Sequence, residues 1–359
     1  MCSVSMRLAL ILAVATANST KGGDVVIYEG GQGPGAGQHV VLISGDEEYR
    51  SEEALPQLGK ILATHHGFHC TVLFAMDDVR SIIHPNVINN IPGLDALTDA
   101  DLMIIFTRLR ALPADQMRFI DDYLRSGRPV IGLRTATHAF NFPADDGWAH
   151  YGNGYEGSEK AWTDGFGRLV LGEKWIRHHG QHKHQSTRGV IASASNDHPI
   201  VRGLEHSQVW GPTDVYGVRL PLPGDSQPIV LGEVVNRAGV FDEDDPFYGM
   251  KPTDRVPDAE LNSPMMPIAW TKTYKIPNGE PGRAFCSTLG ASTDLVAEGT
   301  RRLIVNAVYW CLAMEDRIPA SGSNVPIVGP YRPTAYQFRE NEYWEQRKMR
   351  VAEHQLEAK

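Results

Sequence analysis

The chain has 359 residues, of which 42% are hydrophobic and 21% are charged, an ordinary globular composition that suffices for one large or two medium domains. Its net charge of −9, with no basic stripe, argues against a nucleic acid or an anionic membrane surface as a partner. No apolar run reaches the ~18 residues needed to span a bilayer. The 4 cysteines lack paired spacing, so neither a disulfide framework nor a zinc knuckle is indicated.

The N-terminus has the pattern of an export signal. Arg7 supplies a positive charge, residues 8–15 are apolar, and Ala15-Thr16-Ala17 is a small-x-small cleavage site. An ordinary buried N-terminal helix is the alternative. We therefore predict a signal peptide over residues 1–17, export to the periplasm or the cell exterior, and a Gly-rich linker over residues 18–37.

The folded domain is predicted to begin with a β-α-β unit. Residues 39–44 and 69–74 are short apolar runs typical of buried strands. Between them, residues 52–66 have the apolar spacing of an amphipathic helix, and Gly67 is a suitable C-terminal stop. The two strands should therefore be parallel and joined by a right-handed crossover.

The alternation of strands and helices continues along the chain. Further strands are predicted at residues 101–106, 129–133, 229–232, 267–271 and 283–289, and further helices at 113–126 and 294–312. The polar, aromatic and Gly-rich residues 143–190 indicate an insertion over the edge of the sheet. We predict one α/β domain over residues 38–316, with a mostly parallel sheet, followed by a Pro-rich and charged tail over 317–359 that is either a solvated helix or disordered.

The stretch around which the domain is organised is residues 128–142. An apolar strand ends at Gly132 and Leu133, and a sharp turn then presents Arg134 above the carboxyl edge of the sheet. A helix that includes Ala136, Ala139 and Phe140 is predicted to follow. Class I glutamine amidotransferases share this strand and turn, but place a nucleophilic Cys at the corresponding position. An Arg stays protonated and cannot attack a carbonyl, although it can hold an anion or a carbohydrate oxygen. A structural ion pair is the alternative role for Arg134.

Polar side chains follow several of the predicted parallel strands and should meet at one edge of the sheet. Arginine forks and carboxylates at such an edge suit hydrogen bonds to sugar hydroxyls or to an acidic sugar. Asp46 and Glu47 could instead simply cap the following helix. The predicted substrate-binding residues of this edge are Asp46, Glu47, Tyr49, Arg50, Arg108, Arg134 and Thr135.

Residues 178–184, with the sequence HHGQHKH, are the strongest anomaly in the composition. Neutral imidazoles are common ligands of zinc-like ions, so we predict His178, His179 and His182 as ligands of a divalent metal. General acid–base catalysis, sugar contact or a purely structural polar loop are the alternatives. No HExxH motif completes a site, so the sequence leaves open whether a metal cofactor is bound.

A tight loop, WGPTDVYG, combines aromatic rings with a carboxylate. Trp210 and Tyr216 are predicted to stack on the apolar face of a sugar ring, while Asp214 accepts hydroxyl hydrogen bonds. The rings could equally only pin the loop in place. For proton transfer we predict His138, His179 and Asp214 as the catalytic residues.

Several stretches in this order resemble the ThuA-like family, named for trehalose utilisation, over residues 38–315. They are SGDEEY, VIGLRTATHAF, PIAWTKTY, GRAFCSTLG and RRLIVNAVYW. The resemblance implies a flavodoxin-like, class I glutamine amidotransferase-like three-layer sandwich with a mostly parallel sheet, and a role in carbohydrate metabolism. Family members typically carry His where this chain has Arg134 and Ala291, so residues 178–184 could replace those histidines.

The sequence thus predicts an exported ThuA-like protein that acts on a sugar or glycoside, which could be oxidised, without glutaminase activity. The alternative is a non-catalytic sugar-binding module on the same fold. The predicted partner is a small carbohydrate, with no nucleic acid and no membrane span.

Overall fold

One mixed sheet of eleven strands organises the molecule, and the computed structural model describes residues 25–205 and 207–356. The strands are β1 (Val26–Tyr28), β2 (His39–Gly45), β3 (His69–Phe74), β4 (Met76–Asp77), β5 (Ile82–Ile83), β6 (Leu102–Thr107), β7 (Val130–Leu133), β8 (Gln185–Ile191), β9 (Trp210–Gly211), β10 (Gln227–Asn236), β11 (Val256–Pro257), β12 (Met266–Tyr274) and β13 (Gly282–Ser287). The α-helices are α1 (Ser51–His66), α2 (Ala114–Arg125), α3 (Glu298–Cys311) and α4 (Asn341–Arg347). Strands β4 and β5 pair separately as a small ribbon.

The strand order of the main sheet is β1-β3-β2-β6-β7-β13-β12-β10-β8-β9, and β11 pairs with β10. The central strands β3, β2, β6, β7 and β13 are parallel to their neighbours within this set. The remaining pairings, at both ends of the sheet, are antiparallel. The predicted α/β class is therefore confirmed. The predicted mostly parallel sheet is found only as a parallel core, because the sheet as a whole is mixed.

The predicted β-α-β unit is present, and its helix ends where the sequence indicated. Gly67 adopts the left-handed conformation, with φ of 79°, which glycine reaches without a steric penalty. Its N–H donates to the carbonyl of Ala63, and the N–H of Phe68 donates to the carbonyl of Leu62. This pattern closes the helix and directs the chain into β3, parallel to β2.

Apolar side chains leave both faces of the parallel strands. In β2, Val40 and Leu42 pack in one cluster with α1 and α3, while Val41 and Ile43 pack in a second cluster with α2. This alternation follows from the two-residue period of a strand. Because both faces are covered, the free polar edge at the carboxyl ends of the strands is left to form the site.

Three segments differ from the sequence-based expectations. Within the predicted linker, residues 26–28 form β1 on the edge of the sheet, and within the predicted insertion, residues 185–191 form β8 beside β10. After β7 only a short 3-10 helix, Arg134–His138, is present. The backbone then hydrogen-bonds with Leu109 and Arg110 rather than with itself, which ends the helix.

The end of the chain is also ordered against the domain. We call residues 331–356 the C-terminal strap. Tyr336 and Trp344 of the strap are buried, and Arg50 donates to the carbonyl of Gln337 at 2.6 Å. The burial of these rings and the hydrogen bond from Arg50 hold the strap against the domain. Within residues 25–205 and 207–356, no helix is both long and apolar enough to cross a membrane.

The predicted signal peptide, residues 1–17, lies outside the described residues.

Candidate functional site

Arg134 occupies the turn directly after β7, with φ of 46°. This left-handed conformation is costly for a residue with a side chain, and it persists only where the surroundings hold it. The guanidinium is fully buried and lies between the rings of Tyr49 and Tyr216, with its central carbon 4.2 and 3.9 Å from their centroids. It donates to the carbonyls of Asp214 and Thr288, each at 2.8 Å. Arg134 is thus a fixed cation inside the wall of the site.

The same guanidinium also forms an ion pair with the side chain of Asp214. Arg134 Nη2 lies 2.9 Å from Asp214 Oδ1, and both side chains have no exposed surface. Burial alone would raise the pKa of Asp214. The positive charge of Arg134 and the hydrogen bonds from His178 and His182 outweigh burial and hold the pKa well below its usual range. Asp214 is therefore a carboxylate that orients its neighbours and does not exchange protons.

Two histidines of the HHGQHKH segment meet on this carboxylate. His178 Nδ1 lies 2.7 Å from Asp214 Oδ2, and His182 Nδ1 lies 3.3 Å from Asp214 Oδ1. The backbone of residues 177–180 pairs with that of residues 215–217, which brings the two segments together. Because side chains alternate along paired backbone, His178 faces Asp214 while His179 faces away.

A pocket of about 120 Å³ opens in front of these groups. Aromatic rings, one carboxyl, one guanidinium and two imidazoles share its wall. The lining residues are Glu48, Arg108, Leu109, His138, Asn153, Trp175, His178 and Tyr216. A second cavity of about 390 Å³, lined in part by Tyr155 and Glu156, shares Asn153 with the first.

Glu48 is the carboxyl group of this pocket. Burial raises its pKa to about 7, Asp46 adds to the increase, and Arg108 opposes it. Its Oε2 lies 3.5 Å from Arg108 Nε, and its Oε1 lies 3.6 Å from His182 Nε2. Sequence reasoning missed Glu48, although the run DEEY marked the loop, because the geometry of the turn decides which of the consecutive acids reaches the pocket.

The two acids that were predicted from this run organise the loop. Asp46 accepts backbone hydrogen bonds from Glu48 and Tyr49 and a hydroxyl hydrogen bond from Thr135 at 2.6 Å. Glu47 forms ion pairs with Arg108 and with the buried Arg110. These contacts fix the backbone that presents Glu48 and the arginine that faces it.

Arg108 and His138, two other predicted residues, do line the pocket. Burial lowers the pKa of His138 well below its usual range, and the neighbouring arginines add to the decrease. Its imidazole is therefore neutral at physiological pH, and Thr137 Oγ1 lies 3.2 Å from its Nδ1.

Other predicted residues lie away from the pocket. His179 Nε2 is hydrogen-bonded to the carbonyl of Leu261 at 2.7 Å. Arg50 lies over the ring of Trp344 in the strap. Trp210 is packed in the apolar core and exchanges hydrogen bonds with Thr300 through its backbone.

The residues that could hold a cation are only partly those predicted. Within residues 25–205 and 207–356, one group of metal-type ligands is close enough, namely His178, His182 and Asp214, whose ligand atoms all lie within 4.8 Å of one another. His179 is not a member of this group. Leu109, Asn153 and Trp175 also reach the pocket without a sequence signal that singled them out.

These features define a class: an α/β protein whose polar site lies at the carboxyl edge of parallel strands, with a buried arginine at the turn after the strand β7. The family model for ThuA, described as trehalose utilisation, matches residues 40–311. Since this match covers more than half of the chain, the protein belongs to the ThuA family.

Solved structures that match the chain include two ThuA-like proteins. One, from Bacteroides uniformis, has 14% identity and a TM-score of 0.46, with 79% of this chain and 95% of that chain covered. The other, from Parabacteroides merdae, has 16% identity and a TM-score of 0.42, with 85% and 98% covered. No protein of curated function matches the chain.

Proposed function

We propose that this ThuA-family protein is an exported, carbohydrate-active protein that binds a sugar or glycoside in the 120 Å³ pocket and converts it there. The observation that carries the proposal is the composition of the pocket wall. The Glu48 carboxyl and the Arg108 guanidinium lie 3.5 Å apart and share the pocket wall with the rings of Trp175 and Tyr216. Aromatic faces stack on sugar rings, while charged groups accept and donate hydroxyl hydrogen bonds.

Arg108 is the group placed to bind and polarise a substrate oxygen. Its guanidinium forms an ion pair with Glu47, and its central carbon lies 4.8 Å from the centroid of the Phe338 ring. A carbonyl oxygen of an oxidised sugar would gain most from this fixed cation, because its negative charge increases when a neighbouring proton is removed.

Glu48 and His178 are the groups placed to move that proton. Both line the pocket, and His178 is held from behind by the buried carboxylate of Asp214. A carboxylate that orients an imidazole also fixes which ring nitrogen faces the substrate. This division of roles replaces the predicted set His138, His179 and Asp214 as the catalytic proposal.

The size of the pocket favours a glycoside over a large ligand. A volume of about 120 Å³ accommodates one end of a sugar, whereas complete small-molecule pockets typically measure about 300–1,000 Å³. The neighbouring cavity of about 390 Å³, across Asn153, offers room for a second unit.

Glutaminase activity is not proposed, because the buried Arg134 stands where the amidotransferase nucleophile would be. The three cysteines of the described residues, Cys70, Cys286 and Cys311, are buried, and burial raises the pKa of each thiol. The same observation favours a second candidate, a non-catalytic sugar-binding module that kept the amidotransferase-like fold.

The two candidates separate on binding and turnover measured together. Wild type and Glu48→Gln would be titrated calorimetrically with trehalose and with a chemically oxidised trehalose, and products would be followed by mass spectrometry. An enzyme predicts that Glu48→Gln still binds but loses turnover by about 100-fold or more. Binding without turnover in both proteins supports the module, and no binding of either sugar overturns the proposal. Glu29→Gln, at an exposed carboxyl, is the matched control.

A further inference from the structure

We propose that His178, His182 and Asp214 bind a zinc-like divalent cation at the inner wall of the pocket. The inference rests on the proposed function and deepens it by supplying a cofactor for the same site. With the ion bound, His178 is a ligand, and Glu48 alone is placed to move the proton. It is carried by ligand geometry, which can be tested separately from sugar chemistry.

The ligand atoms of the three residues lie close together, all within 4.8 Å of one another. Asp214 Oδ2 is 2.7 Å from His178 Nδ1, and Asp214 Oδ1 is 3.3 Å from His182 Nδ1. Zinc–nitrogen and zinc–oxygen bonds of about 2.0–2.2 Å place tetrahedral ligands about 3.3 Å apart. Small rotations of the imidazoles would therefore admit the ion without moving the backbone.

The residue types also fit. Two imidazoles and one carboxylate form a common catalytic zinc set, in which the remaining position takes water or substrate. Here that position would face the pocket, because His178 lines the pocket with a side chain that is 40% exposed while Asp214 is fully buried behind it.

The surroundings hold the ligands in place. Arg134 fixes Asp214 through Nη2 at 2.9 Å, and the hydroxyl of Tyr49 accepts a hydrogen bond from the same guanidinium at 3.0 Å. Such outer contacts orient metal ligands and are part of most metal sites. The positive charge of Arg134 opposes a cation, and Glu48, 3.6 Å from His182, supplies a compensating carboxyl.

A bound cation would act on substrate oxygen as a Lewis acid beside Arg108, polarising a carbonyl or hydroxyl in the pocket. This is the chemistry that a buried site without a nucleophile could use to activate a sugar.

The test compares adjacent histidines. Purified protein would be stripped with a chelator, loaded with Zn²⁺, dialysed, and assayed for metal by mass spectrometry, with affinities measured against a chromophoric chelator. We expect one zinc per chain in wild type and in His179→Ala, because His179 is bonded to Leu261 instead. His178→Ala and His182→Ala should each weaken affinity by at least about 10-fold, in line with the loss of a ligand.

Circular dichroism of every variant checks that the fold survives. Absence of stoichiometric zinc from wild type overturns the inference, as does an equal loss in His179→Ala. Because the assay measures metal alone, the two proposals can fail separately. Zinc binding without any sugar binding would contradict only the proposed function. Glu48-dependent turnover without metal would contradict only the metal site.

Discussion

Arg134 Nη2 and Asp214 Oδ1 form a fully buried ion pair 2.9 Å apart, which joins the turn after β7 to the WGPTDVYG loop. Through this pair the arginine at the elbow sets the position of the carboxylate, and the carboxylate sets the positions of His178 and His182. One contact therefore fits both interpretations of Arg134: it is a structural ion pair, and it positions groups of the candidate site.

Breaking the pair from one side should be costly. Arg134→Met leaves the Asp214 carboxylate buried without its cation, which typically destabilises a protein by about 3–5 kcal/mol. The double variant Arg134→Met/Asp214→Leu should lose less than the sum of its single variants, since neither charge is then stranded. Urea unfolding of all four proteins measures this coupling, and strict additivity would contradict it.

The C-terminal strap should contribute to both stability and the site. Tyr336 is buried, stacks on Tyr49 at 5.4 Å and lies against His182 at 5.2 Å between ring centroids. Tyr336→Ala should therefore cost about 3 kcal/mol of unfolding free energy, as for other buried aromatic side chains. It should also weaken ligand binding in the pocket, which calorimetry would measure.

A matched control lies two residues further along the strap. Phe338 is 54% exposed, and its ring lies against the guanidinium of Arg108. Phe338→Ala should change the unfolding free energy by no more than about 0.5 kcal/mol while raising the KM for sugar. Equal destabilisation by both variants would contradict the expected difference between the buried Tyr336 and the exposed Phe338.

Acid should destabilise the protein through His66. Its Nε2 donates to the carbonyl of Asn324 at 2.7 Å, and its Nδ1 accepts from the hydroxyl of Tyr309 at 2.8 Å. Burial lowers the pKa of His66 to about 4, compared with about 6.5 in the unfolded chain. The unfolded state therefore binds more protons between these values, and stability should fall by on the order of 2–3 kcal/mol as pH drops from about 6.5 to about 4.

Denaturant titrations across that range would test the effect with His66→Gln, which keeps a donor and an acceptor but does not titrate. Its acid loss should be smaller by the stated amount, whereas His65→Gln, at the less buried neighbour, should follow wild type. Parallel curves for all three proteins would rule His66 out as the source.

Export makes a prediction about the mature chain. If residues 1–17 are a signal peptide, cleavage follows Ala17 and the exported protein begins at Asn18. Edman sequencing of protein recovered outside the cytoplasm should read NSTKGGD. An intact Met1 or Met6 terminus in that fraction would contradict this site of cleavage.

The sequence was most informative where structure is local. The period of apolar residues predicted β2, α1 and β3, and the apolar strand ending at Leu133 predicted the turn at Arg134. Strand β1 and the strap were not predicted, because each is stabilised by partners distant in the chain, such as Val72 for Val26 and Tyr49 for Tyr336.

Within the site, the sequence identified segments better than individual residues. Glu48 rather than Glu47 reaches the pocket, since Glu47 forms ion pairs with Arg108 and Arg110. His178 rather than His179 meets Asp214, because the pairing of residues 177–180 with 215–217 fixes the direction of each side chain. A shift of one position along the chain turns the side chain to the opposite face. The composition of a segment does not indicate which face each of its residues takes.

The strap has a consequence for when the protein becomes competent. Residues 331–356 follow the rest of the domain in the sequence, and Tyr336 and Phe338 contact His182 and Arg108. The strap therefore has to be translated, and to dock, before the contacts around the pocket are complete.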